Sequence, residues 1–211
     1  MKQVFFRSLL LAAFLPVFFI SSCKKEDDEK TSPNISKRAP ENDPDVEAQT
    51  LNLTINTNRS TYLDTIINAF GHDFHISIYQ YSPYKYIDIS TDYNSDVYFQ
   101  EEIVLRVGQR SDDFLPCFLE GYKVDTYQGA WEEIDGYGDN TYGALYIKNT
   151  EGGFGFNGLG DRFIAYRNEV SSGNYKYGYI KLNLSADGQS LTIKSIAFCN
   201  VANKAIYFGD Y

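Results

Sequence analysis

The chain has 211 residues, with 28 acidic against 19 basic side chains and a formal charge of −9, a balance that argues against nucleic acid as a partner because phosphate binding needs clustered Lys and Arg. Its hydrophobic share of 43%, rich in tyrosine and phenylalanine, is enough for one domain with a core. Two histidines and three cysteines leave little material for a serine or cysteine triad or for a closed zinc site.

The first residues set an address. Lys2 and Arg7 open the chain, Ser8 to Ile20 is almost wholly apolar, and Ser21 and Ser22 lead to Cys23. That is the layout of a secretory signal; the run is too short for a spanning helix and is interrupted by Pro16. Ile20-Ser21-Ser22-Cys23 resembles a lipobox, which implies acyl chains on Cys23 and removal of residues 1–22. The following Lys24, Lys25, Glu26, Asp27 and Asp28 resemble the export signal of Bacteroidota surface lipoproteins, which implies the outer membrane, facing the cell exterior. The alternative is a charged, solvated spacer. Cleavage takes two of the 19 basic residues and none of the 28 acidic ones, so the balance moves from −9 to −11. Acyl chains contribute about 0.8 kcal/mol per buried methylene, so the expected partner here is the membrane itself.

From Cys23 to Ala48 the chain carries Pro33, Pro40 and Pro44 among charged and small residues and is expected to be a disordered tether spanning about 25 to 30 Å. The folded domain is expected over 49–211. There the pattern turns to period two: Leu51, Leu53 and Ile55, then Phe74, Ile76 and Ile78, Ile87 and Ile89, Ile103, Leu105 and Val107, and Ile180, Leu182 and Leu184. No segment has a helical period. The pattern predicts an all-β domain, an antiparallel two-sheet, jelly-roll-like β-sandwich of about ten strands.

Taking Ser82-Pro83 as a turn pairs Ile78 with Ile87 and Ile76 with Ile89, and collects His75, Tyr79, Tyr81, Tyr84 and Tyr86 on the opposite face. Pro83 in a two-residue turn makes a cis bond at Ser82-Pro83 an alternative to trans. The tyrosine face is a candidate stacking platform for sugar rings or a partner surface; ordinary cross-strand packing is the competing explanation. His72 and His75 are three apart and point to opposite faces of a strand, so no metal site is expected from them. Gly71-His72-Asp73-Phe74 has too few oxygen donors nearby for a calcium loop.

The segment from Gly108 to Tyr142 alternates weakly and holds the single tryptophan, Trp131, which joins the candidate patch as a loop aromatic. Trp131-Glu132-Glu133-Ile134-Asp135 is similar to the carboxylate strand of laminarinase-type glycoside hydrolases, but Tyr137 and Gly138 stand where the final glutamate belongs. Cys117 and Cys199 both lie in apolar runs; a bridge between them and two separate buried thiols fit equally well.

In the last hairpin, Asp187-Gly188 in the turn pairs Leu184 with Leu191, Leu182 with Ile193 and Ile180 with Ser195, and brings Tyr179 to Ile196 and Tyr177 to Phe198. Tyr179-Ile180-Lys181-Leu182, Ser195-Ile196-Ala197-Phe198 and Ala205-Ile206 resemble the closing segment of uncharacterised secreted β-sandwich proteins, a core signature that implies no catalytic residue. Address, fold class and sparse catalytic groups lead to one expectation: a non-catalytic, lipid-anchored envelope protein without cofactor, structural or binding glycan or protein. The alternative is a carbohydrate-active hydrolase.

Overall fold

Alternation over short runs, with no helical period to compete, produces strands and no helix among the described residues. In the computed structural model these are residues 39–58, 62–92, 96–101, 103–107, 110–115, 117–125, 130–133, 143–148 and 152–211. They form a six-stranded sheet in the order β1 (Val46–Asn56), β14 (Ser190–Cys199), β13 (Asn174–Leu184), β12 (Asp161–Ser171), β5 (Val97–Glu101) and β9 (Ala130–Glu133). A seven-stranded sheet runs β2 (Tyr62–Ala69), β3 (His72–Tyr81), β4 (Tyr84–Thr91), β10 (Gly143–Lys148), β7 (Arg110–Phe114) and β6 (Ile103–Val107), with β11 (Gly153–Gly155) also on β10. A ribbon of β8 (Lys123–Val124) and β15 (Ile206–Tyr207) completes the set. Among the described strands pairing is antiparallel except between β7 and β10, which run parallel over Asp113 and Phe114.

The two sheets face each other over one core. Phe74, Ile76, Ile78, Ile87, Ile89 and Leu145 of the seven-stranded sheet meet Phe99, Tyr166, Ile180, Leu182, Ile193 and Ile196 of the six-stranded one. This is the all-β, two-sheet sandwich that the alternation predicts. At one end Lys85 crosses between the sheets: its Nζ donates to Thr57 Oγ1 at 2.8 Å and to the Gly188 carbonyl at 2.6 Å. Burial, helped by the charge of Lys148, lowers the Lys85 pKa to about 8.

The middle of the six-stranded sheet, β12 to β14, is largely buried on both faces. On its outer side Phe163, Ala165, Tyr177, Tyr179, Ala197 and Cys199 pack against Val124, Ile206 and Phe208, so the β8–β15 ribbon and the chain end act as a lid with its own apolar cluster. Alternation alone leaves the outer face of a strand open to solvent. Here β13 is aromatic on one face and aliphatic on the other, which is how a strand reads when both faces are covered.

Both hairpins form. In the first, Ile78 faces Ile87 and Ile76 faces Ile89 as expected, and the Ser82-Pro83 peptide is cis. In the second, Leu184 faces Leu191 and Leu182 faces Ile193, but the pairing then slips: Lys181 faces Ser195, Ile180 faces Ile196, Tyr179 faces Ala197 and Gly178 faces Phe198. The expected pairs Ile180–Ser195, Tyr179–Ile196 and Tyr177–Phe198 are therefore corrected by one position. Lys194 is the extra residue of a β-bulge, and its ammonium reaches the Asp161 carboxylate at 2.6 Å. A bulge also interrupts β1 between Thr50 and Leu53, where Asn52 takes a positive φ of 50°. Beyond it Leu53 is partly exposed while Ile55 lies in the core. Gly178 lets two strands approach: the Tyr166 ring lies across it, and the Tyr166 hydroxyl donates to the Ala197 carbonyl at 3.1 Å.

The expected domain start needs correcting. Residues 39–48 are not free tether: β1 begins at Val46, and the stretch before it is stitched to the chain end. Asp43 N–H donates to the Tyr211 carbonyl at 2.8 Å, Glu41 N–H to Asp210 Oδ1 at 3.2 Å, and Lys204 Nζ reaches Asp43 at 2.6 Å and Asp45 at 2.8 Å. Cys199 is a free, buried thiol, so the Cys117–Cys199 bridge is not formed and the thiol packs as a small apolar group in the outer cluster. Cys117 lies half-buried against the main core.

Candidate functional site

The outer face of β2, β3 and β4 gathers the groups with binding chemistry. Register sets them in rows: Tyr62 beside Tyr79 and Tyr86, Asp64 beside Ser77 and Asp88, Ile66 beside His75 and Ser90. Phe74, Ile76, Ile78, Ile87 and Ile89 point into the core, so the alternate residues must point away from it. The Phe70-Gly71 turn that joins β2 to β3 has positive φ at both residues, 54° and 79°, the twist that fits a two-residue hairpin.

The tyrosines are graded in depth. Tyr86 is 2% exposed and forms a satellite cluster with Ala144 and Ile147, against which Tyr79 and Tyr84 pack half-buried. Tyr62, on the edge strand, is 55% exposed and lies against Tyr79 with ring centroids 4.9 Å apart at 43°. Ile66, four residues on and on the same face, is also exposed. The accessible aromatic surface is therefore centred on Tyr62 and Tyr79. Tyr86 serves as packing beneath it, and the side chain of Tyr81 lies outside the described set.

Beside the rings is a polar cluster. His75 Nδ1 is 3.1 Å from Asp64 Oδ2, its Nε2 is 2.9 Å from Asp92 Oδ1, and Ser77 Oγ donates to Asp64 Oδ1 at 3.4 Å. Burial alone would lower the His75 pKa, but hydrogen bonds to the two carboxylates and their charges outweigh it and hold the imidazole above its ordinary value. Both ring nitrogens face carboxylates, and when the ring is charged both donate, leaving it no lone pair to accept a proton. Ser77 bonds the Asp64 carboxylate rather than the imidazole, so the three side chains are not arranged as serine, base and orienting acid.

His72 lies on the other side of the strand, as the spacing predicts, where Asn168 Nδ2 donates to its Nε2 at 2.8 Å. Burial, opposed by Asp73 and Asp96, lowers its pKa. The two histidines are expected to titrate on opposite sides of the ordinary value of 6.5 in a proton NMR titration, His75 above and His72 below. Because the folded-state pKa of His75 is raised, its stabilising contribution is full below that ordinary value and is lost as pH rises through the folded pKa. A His75→Gln variant should therefore lose more stability, relative to wild type, at pH about 5.5 than at pH about 8.5.

Trp131 does not belong to this patch. It lies on β9, opposite Gln100 of β5, and packs against the outer cluster of the other sheet. Period-two faces say nothing about which sheet a strand joins, so the Gly108–Tyr142 segment gave no warning. Tyr62, Asp64, Ile66 and Asp92 belong to the site without having been singled out by sequence; the signal for β2 was the Phe70-Gly71 pair ahead of an alternating run. Cys23, Lys24, Lys25, Glu26, Asp27 and Asp28 lie outside the described residues, as do residues 134–142 of the glycosidase-like string.

No family model, no curated protein and no solved structure matches this chain.

Proposed function

We propose that this protein is a lipid-anchored binding module of the cell envelope, held by acyl chains on Cys23 and taking a glycan on the outer face of its seven-stranded sheet. The observation that carries the glycan assignment is the juxtaposition of the exposed Tyr62 ring, lying against the half-buried Tyr79, with the Asp64–His75–Asp92 cluster on one face. A sugar ring offers an apolar C–H face and a rim of hydroxyls. Tyrosine rings suit the first at low entropic cost, and carboxylates accept hydrogen bonds from the second. Both nitrogens of His75 are committed to carboxylates, which favours recognition over chemistry at this face. Loops and edges of a rigid sandwich are where such sites are commonly carried.

Residues 39–211, which include the ordered segment before β1, should show saturable binding to a subset of a glycan array. Silence on such an array, with binding instead to host proteins, would replace the glycan with a protein partner. The anchor is tested separately: a Cys23→Ala form should leave the membrane fraction, and retention there would contradict lipid attachment.

A further inference from the structure

We infer a second binding site, on the outer face of the six-stranded sheet, for the carboxylate of an acidic sugar such as a uronic acid. The site is centred on Arg167 of β12. Its guanidinium carbon lies 3.9 Å from the centroid of the Tyr175 ring, 5.0 Å from Trp131 and 5.3 Å from Tyr98, so three aromatic side chains from three strands surround one cation. Stacking uses the flat faces of a guanidinium; its N–H donors lie in the plane and point outward. None of those donors has a hydrogen bond or ion pair with a described residue. Nε is sealed from solvent without a partner, as is the indole Nε1 of Trp131, and the terminal nitrogens have no hydrogen bond with a described residue.

This is an unusual state for an arginine in a chain with 28 acidic residues. The nearest acid along the same strand face, Glu169, is directed elsewhere: its Oε1 accepts the Gly173 N–H at 3.1 Å and its Oε2 the Tyr98 hydroxyl at 3.5 Å. A fork for a planar carboxylate, a fixed carboxylate that can accept hydroxyl donors, and flat ring surface between them match the parts of a uronic acid ring. A neutral sugar leaves the fork empty. A peptide carboxylate fills it but offers no rim of hydroxyls to Glu169. The site is separate from the tyrosine face and does not depend on it.

Trp131 is the single tryptophan of the chain, so intrinsic fluorescence reads this site alone. Residues 39–211 would be titrated with an oligogalacturonate, with its methyl ester, and with a peptide ending in a free carboxylate. The proposal requires a saturable change in Trp131 emission with the oligogalacturonate, at least tenfold weaker binding of the methyl ester and the peptide, and a comparable loss in Arg167→Lys, which keeps the charge but not the fork. Tyr62→Ala should bind the oligogalacturonate as wild type does, which keeps this test apart from that of the tyrosine face. No saturable change, or equal affinity for acid and ester in the unmodified protein, would overturn the site. A peptide bound as tightly as the sugar would overturn the sugar assignment.

Discussion

A polypeptide that begins at Gln49 is expected to be unfolded or close to it, whereas one that begins at Ala39 folds. The shorter chain loses the first rungs of the β1–β14 ladder, where Val46 faces Cys199, Glu47 faces Phe198 and Ala48 faces Ala197. It also loses the buried Val46 side chain, worth about 1.5 to 3 kcal/mol. The carboxylates of Asp43 and Asp45 that neutralise Lys204 go with it, as does the Asp45 carbonyl that accepts the Asn200 N–H at 2.7 Å. Asp210, fully buried, loses the Glu41 N–H from its carboxylate. Each net hydrogen bond contributes about 1 kcal/mol, and the total approaches the roughly 5 to 15 kcal/mol that holds an ordinary domain together. Urea unfolding followed by circular dichroism decides the matter: equal midpoints for the two polypeptides would mean that the segment before Gln49 is tether after all.

Phe208→Ala is expected to cost about 3 to 5 kcal/mol, the range for emptying a buried aromatic site. The side chain is fully buried at the centre of the outer cluster, with ring centroids 5.0 Å from Phe118, 5.3 Å from Phe163 and 6.0 Å from Tyr179. Its backbone bonds Gly121 and Tyr122, so it pins the chain end to the segment before β8. Removing the ring unseats the lid from the six-stranded sheet and leaves a cavity among residues that cannot collapse far, because β12 and β13 are fixed by their ladders. A shift of the urea midpoint equivalent to under about 1 kcal/mol would show that the lid is an appendage rather than a second core.

Local register was legible in the sequence, and long-range assembly was not. Ile76, Ile78, Ile87 and Ile89 alternate on both sides of a short turn, so face and pairing follow from the period of two. The slip in the last hairpin also left a mark: Leu191 and Ile193 keep that period, and the next core residue is Ile196, three on. An interval of three within a strand is how a bulge reads, with Lys194 as the extra residue. The aromatic face of Tyr175, Tyr177 and Tyr179 announced a covered outer side, but nothing local says that residues from 118 to 124 and from 206 to 208 cover it. The place of Trp131 is not legible for the same reason: strand membership in a sheet is decided by contacts remote in sequence. The end of the tether is not legible because Glu41, Asp43 and Asp45 look solvated, and their partners, Asp210 and Lys204, lie at the far end of the chain.

Within the candidate site, His75, Tyr79 and Tyr84 are within reach of the period argument, whereas Asp64 and Asp92 come from an edge strand and a strand end whose position depends on the whole sheet. That dependence makes Tyr62 the cleanest probe, since it is half-exposed and its loss disturbs no core contact. The decisive measurement is the affinity of wild type and Tyr62→Ala, as residues 39–211, for whichever array glycan binds most tightly. The tyrosine face predicts about a tenfold loss on removing the ring, with the urea midpoint unchanged. Undiminished affinity in the variant would place the glycan elsewhere on the domain.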